Sequence, residues 1–129
     1  MQQYRRNNHS VSMVNYHLVW TPKRRKKVLV GGIEERLRAI IWEVCQEKKW
    51  AIIALEIMPD HIHLFVNVPP NVVAHQVVKA IKGRSSRLLR QEFPQLLKLP
   101  SLWTHSYFVS TAGSVSNETV RRYIENQKK

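Results

Sequence analysis

Apolar residues recur along this chain with two different periods, and the switches between them divide it into elements. Residues 11–21, VSMVNYHLVWT, are rich in β-branched and aromatic side chains and predict a strand. Residues 33–49 place Ile33, Leu37, Ile40, Ile41, Val44 and Cys45 at helical spacing, with Glu34 and Glu35 in the first turn and Lys48 and Lys49 in the last. The nearly continuous apolar run 50–58, WAIIALEIM, predicts a central strand. Pro59 and Asp60 signal a turn, and residues 61–68, HIHLFVNV, alternate as a second, antiparallel strand that Pro69 and Pro70 end. A second helix is expected over 72–93, a loop over 94–100, and a fourth strand over 102–110. Gly113 breaks the chain before a short final helix at 116–128.

The order β-α-β-β-α-β plus a helix is the split βαβ, ferredoxin-like pattern. It predicts an α+β fold: a four-stranded antiparallel sheet with both main helices on one face and the other face partly open. Residues 11–111 form that core and 116–128 add a helix, all within a single domain of 129 residues.

Alternation gives the segment MPDHIHLF its interest. Successive side chains of a strand point to opposite faces. Ile62, Leu64, Val66 and Val68 therefore face the helices, and His61, His63, Phe65 and Asn67 share the open side. Moving either histidine by one residue would bury it. Two imidazoles at i and i+2 can converge on a metal ion, or can simply be polar groups on a wet face. Two are also too few for a tight site. Asp60 reads first as a turn residue and second as support for His61.

Composition adds a partner. Lys and Arg number 21 against 9 acidic residues, a net charge of +12, which in a small domain points to a polyanion, most often nucleic acid. The loop Lys23, Arg24, Arg25, Lys26, Lys27 is a run of positive charge. On the second helix, at about 100° per residue, Val77, Val78, Ile81, Leu88 and Leu89 fall on one side and Lys79, Lys82, Arg87 and Arg90 on the other, with Arg84 at the edge. Such a stripe is either a solvated face or a track for phosphates. The single cysteine, Cys45, belongs to a core pattern and suits a reducing cytoplasm. No run of residues is apolar enough to span a bilayer, the N-terminus lacks the apolar region of a signal peptide, and no P-loop implies a nucleotide cofactor.

A third ligand is available in RRYIENQKK. Tyr123 and Gln127 lie one turn apart on the same face of the final helix. Gln127 offers a neutral amide oxygen, and Tyr123 would sit one turn from a metal, where a cation favours the phenolate. Read alone, the same segment is an ordinary amphipathic helix packing Val120, Tyr123, Ile124 and Gln127 on the sheet.

MPDHIHLFV followed by YIENQ, together with YHLVWTPKRRKKVL, VVKAIKGRSSRLLR and LWTHSYFVSTAG, resembles the single-tyrosine HUH transposases of the small single-strand insertion sequences. The resemblance runs from Tyr16 to Gln127. It implies that His61, His63 and Gln127 bind a divalent metal, Mg2+ or Mn2+, and that Tyr123 is the nucleophile. It also implies a homodimer acting on single-stranded DNA with a subterminal hairpin, through a 5′-phosphotyrosine, with no ATP. Three other readings compete. An HUH replication initiator or relaxase shares the chemistry but usually carries more chain. A ferredoxin-like RNA-binding module needs aromatics on its central strands, and Phe65 is the only one on the open face of its strand. A zinc hydrolase needs a further ligand at matching spacing.

Overall fold

The computed structural model describes residues 13–111 and 117–127, with the side chains of 117–120 left out. Its four strands are β1 (Val14–Trp20), β2 (Ala51–Met58), β3 (His61–Val68) and β4 (Phe108–Ser110). They form one sheet in the order β2-β3-β1-β4, antiparallel throughout. Helix α1 (Gly31–Lys48) crosses from β1 to β2, helix α2 (Ala74–Glu92) crosses from β3 to β4, and α3 (Asn117–Asn126) follows. This is the α+β, ferredoxin-like arrangement that the order of periods predicts.

One face of the sheet is a continuous apolar layer. Leu18 and Trp20 of β1 and Ile62, Leu64, Val66 and Val68 of β3 meet Leu37, Ile40, Ile41 and Val44 of α1 and Val77, Ile81 and Leu89 of α2. These positions are essentially inaccessible. Each side chain so buried contributes about 1.5–3 kcal/mol from removal of its apolar surface. Lys49 ends α1 in the left-handed conformation (φ 63°), and Trp50 returns its N–H to the Cys45 carbonyl at 2.8 Å, closing the helix before β2.

Three elements differ from the sequence reading. First, β2 is an edge strand rather than a central one. Ala54, Glu56 and Met58 are exposed and only Ile57 is buried, with a register irregularity between Ile52 and Ala54. A continuous apolar run does not distinguish a strand buried on both faces from an edge strand. Second, the fourth strand shrinks from 102–110 to Phe108–Ser110. Ahead of it, side-chain donors replace a ladder. Lys82 Nζ donates to the carbonyls of Thr104 (2.7 Å) and Ser106 (3.0 Å), and Trp103 Nε1 donates to Ser85 Oγ at 3.0 Å. Leu102 and Trp103 are core residues that meet the end of β1 without a ladder, through an isolated bridge from Trp103 to Pro22, backbone bonds from Lys23 to Leu102 and from Thr104 to Thr21, and an edge-to-face contact of Trp103 with Trp20. Third, α2 starts at Ala74 rather than at 72, and part of the expected loop 94–100 is a short 3-10 helix, Pro94–Lys98. The remaining boundaries shift by only a few residues; the expected ends at 11, 116 and 128, and Gly113, lie outside the described residues.

Candidate active site

Alternation places His61 and His63 as expected, on the sheet face away from α1 and α2, between the buried Ile62 and Leu64. Their rings sit edge to face, with centroids 5.1 Å apart. Asn67 shares their side but is not wet: it is 1% exposed and donates from Nδ2 to Asn15 Oδ1 at 2.9 Å.

Each histidine is held through Nδ1. His61 Nδ1 lies 2.8 Å from Asp60 Oδ1, a carboxylate that can only accept. Asp60 in turn receives Arg25 Nε at 3.2 Å. The loop that delivers Arg25 is strained, with Arg24 and Arg25 at φ 57° and 52°, conformations costly for residues with a Cβ. His63 Nδ1 lies 3.2 Å from Nε2 of His17 on β1. His17 is placed there by antiparallel register, which pairs Val19 with His63 and His17 with Phe65. Burial lowers the pKa of His63, helped by the neighbouring imidazoles of His61 and His17, and burial alone lowers that of His17. Both rings are thereby favoured in the neutral form that can ligate a metal. With Nδ1 engaged on both His61 and His63, Nε2 is the nitrogen left for another partner on each.

Helix α3 lies against this same face. Ile124 is buried against Val19, with Phe108 and Tyr123 packed beside them, and Val19 has no accessible surface. The helix thus covers the one apolar position that β1 turns to the open side, next to His63 in register. Tyr123 and Gln127 both meet Ser106. Its Oγ is 3.0 Å from the Tyr123 hydroxyl and donates to Gln127 Oε1 at 2.9 Å. Since Ser106 has one proton and gives it to Gln127, the phenol donates to Ser106. Burial, the largest cause, raises the Tyr123 pKa.

Two half-sites therefore share one sheet face. The imidazoles are bonded to Asp60 and His17, the helix residues to Ser106, and Val19 joins them. Among the described residues no three His, Cys, Asp or Glu side chains gather as a metal cluster. A cation held by His61 and His63 would take its further ligands from neutral or phosphate oxygens, and the Gln127 amide fits that requirement.

The basic residues separate into two groups. Lys23 is half-exposed, and Arg24, Lys26, Lys27, Lys79 and Arg87 are exposed. The others are engaged within the fold. Arg25 is paired with Asp60, and Arg90 donates to the Leu99 carbonyl. Arg84 grips Glu47 of α1 through both oxygens, at 2.7 and 2.9 Å, so the stripe has acidic compensation at its edge. Lys82, bound to its two carbonyls, has its pKa pushed down to about 8 by burial. Sequence reasoning missed His17 and Ser106. Alternation alone puts His17 opposite Leu18, but its neighbour depends on register; nothing local marks Ser106.

A ferredoxin-like sheet with a His-x-His pair on its free face and a tyrosine helix laid against that face is the arrangement expected of a single-tyrosine transposase. The profile described as "Transposase IS200 like" matches residues 10–127, and the chain belongs to that family of DNA-cleaving and strand-transferring enzymes. It is 34% identical over 120 residues to the ISDra2 transposase TnpA of Deinococcus radiodurans, covering 91% of this chain and 86% of that one. It is 29% identical over 115 residues to the transposase for insertion sequence element IS200 of Salmonella typhimurium, covering 87% of this chain and 75% of that one. A crystal structure described as that of a candidate transposase from Deinococcus radiodurans R1 superposes with a TM-score of 0.83 at 36% identity, over 98% of both chains. A REP-associated tyrosine transposase bound to a REP hairpin shares the fold, with a TM-score of 0.57 at 17% identity, over 97% of this chain and 69% of that one. No described helix is long and apolar enough to cross a membrane.

Proposed function

We propose that this transposase cuts and rejoins single-stranded DNA at insertion-sequence ends through a 5′-phosphotyrosine on Tyr123, with His61, His63 and Gln127 as ligands of Mg2+ or Mn2+. The observation that carries the reading is that Tyr123 and Gln127, gathered on Ser106, ride a helix packed on the same sheet face as the two histidines. A bound divalent cation supplies charge that draws electrons from a phosphodiester oxygen. The protein's own part is positional. His61 and His63 are held by their Nδ1 atoms, and α3 brings the phenol to the face they occupy. Tyr123 Oη forms a bond to phosphorus as the bond to the 3′ oxygen breaks. The electron pair leaves with that oxygen, and the proton lost by the phenol is balanced by the one gained at the new 3′-hydroxyl. The phosphodiester energy is kept in the tyrosine–DNA bond, so rejoining needs no ATP. In this reading Gln127 exchanges Ser106 for the metal.

The partner is a single strand folded into a subterminal hairpin, and the protein acts as a homodimer. A hairpin-bound neighbour supports the former. In this reading α3, which rests on Val19 and Phe108 through Ile124 and Tyr123, is a helix that exchanges between subunits. The exposed cations Lys23, Arg24, Lys26, Lys27, Lys79 and Arg87 are the phosphate contacts.

The decisive experiment incubates the protein with single-stranded DNA carrying its element's end and Mg2+, and looks for a covalent adduct by denaturing electrophoresis. Tyr123→Phe should give none and Tyr107→Phe should give the wild-type amount; equal adduct from both sinks the assignment. For binding, replacing Lys79 and Arg87 with glutamine should lower the slope of log affinity against log salt by about 2. Arg84→Gln, already neutralised by Glu47, should change the slope far less. Equal slopes for all would move the DNA to another surface.

A further inference from the structure

His17 was given no role by the sequence, yet it makes a polar contact with His63. The antiparallel register sets it diagonally across from His63, and its Nε2 is 3.2 Å from His63 Nδ1. Its ring is held on two sides, with centroids 5.5 Å from His63 and 5.9 Å from Phe65. On the far side of the pair, Asp60 makes the corresponding contact to His61 Nδ1 at 2.8 Å. The two histidines are thus treated alike, each engaged at Nδ1 by one partner, although one partner comes from strand β1 and the other from the β2–β3 turn, and the two differ in charge.

We propose that His17 is a positioning residue for His63: its Nε2 accepts the Nδ1 proton of His63 and holds that ring with Nε2 unprotonated, as Asp60 does for His61. The inference rests on the reading of His61 and His63 as metal ligands. A neutral imidazole has one proton for two nitrogens. If His63 donates from Nδ1, its Nε2 keeps a lone pair to give. If His17 donated instead, the single proton of His63 would sit on Nε2, and neither nitrogen would be open to a cation. Only one direction of this hydrogen bond is therefore compatible with ligation. A metal-bound histidine normally gives its other N–H to a carboxylate, carbonyl or water, which fixes tautomer and orientation. Here Asp60 fills that role for His61. A neutral imidazole fills it for His63, although Glu56, the cross-strand partner of His63 on β2, also sets a carboxylate near that ring. His17 and Asp60 also hold the rings from opposite ends of the pair, which fixes the direction of both Nε2 atoms before any ligand arrives.

The test uses the full-length protein with Mn2+ as the probe and needs no DNA cleavage. Long-range proton–nitrogen spectra of the metal-free protein report which nitrogen of each imidazole is protonated. Wild type should show His63 protonated at Nδ1; a proton on Nε2 overturns the proposal without any variant. Manganese affinity, read from the free-ion paramagnetic resonance signal, should weaken by about 10–100-fold in His17→Phe, which keeps a ring but removes the acceptor. His17→Gln, whose amide oxygen can accept the same proton, should restore affinity to within a few-fold of wild type. If His17→Phe binds Mn2+ as wild type does, or if glutamine rescues nothing, His17 does not act through that acceptor. His63→Ala separates the two claims. Undiminished Mn2+ binding in that variant overturns the ligand reading itself. Lost binding there, with His17→Phe unaffected, overturns the role of His17 alone.

Discussion

The two faces of this sheet are built on opposite terms. The face under α1 and α2 is a closed apolar layer drawn from both central strands and both helices, with essentially no access to solvent. The other carries imidazoles, an asparagine pair and a small apolar patch in which Val19 and Ile124 are the buried members. The first holds the strands rigid. The second uses that rigidity to set side chains at chosen distances and receives α3 through Ile124 and Tyr123. Stability and chemistry are thus assigned to alternate residues of the same strand, a division that neighbouring substitutions can expose.

The sharpest break should come at His63 and Leu64, adjacent residues on opposite faces. His63→Ala should abolish adduct formation while moving the denaturant midpoint little. Leu64→Ala should cost about 2–5 kcal/mol of stability, because it empties a fully buried site. The pair is read by adduct yield and urea unfolding; comparable stability losses at both would mean that the open face also carries the fold. A smaller effect is expected at Ser106, which holds Tyr123 and Gln127 of α3. Ser106→Ala removes hydrogen bonds worth about 0.5–1.5 kcal/mol each. Amide exchange within 121–127 should speed up by about tenfold while α1 and α2 stay protected. Uniform exchange changes across all three helices would refute a local clasp. The smallest effect is on pH. Burial holds the folded pKa values of His17 and His63 below the usual 6.5, so near and below that value the unfolded chain binds more protons than the folded one. Stability should therefore be unaffected by these groups well above pH 6.5 and fall as the pH drops through it. His17→Phe should make that acid-side slope shallower in pH-dependent thermal melts, and an unchanged slope would place the acid sensitivity elsewhere.

Much of this was legible residue by residue. Alternation in HIHLFVNV assigned both histidines to the open face, and helical spacing placed Tyr123 and Gln127 one turn apart. Where the reading slipped, a second physical effect competed with the local one. The run WAIIALEIM is apolar enough for a central strand, but sheet order sends it to an edge. LWTHSYFVS has the composition of a strand, but Lys82 takes two of its carbonyls and Trp103 turns into the core toward Ser85. The basic stripe of α2 is real as a pattern, but Lys82, Arg84 and Arg90 spend their donors inside the fold.

The sequence by itself determined which face each side chain takes, the order of elements, and the chemical types at the site. These follow from periods of 2 and 3.6 residues, which are properties of the chain's own geometry. The tertiary structure alone decided who meets whom. His17 reaches His63 across 46 residues and Ser106 reaches Gln127 across 21. Such pairings depend on strand register and on how helices dock, and a periodic pattern records a direction without recording the partner it will find there.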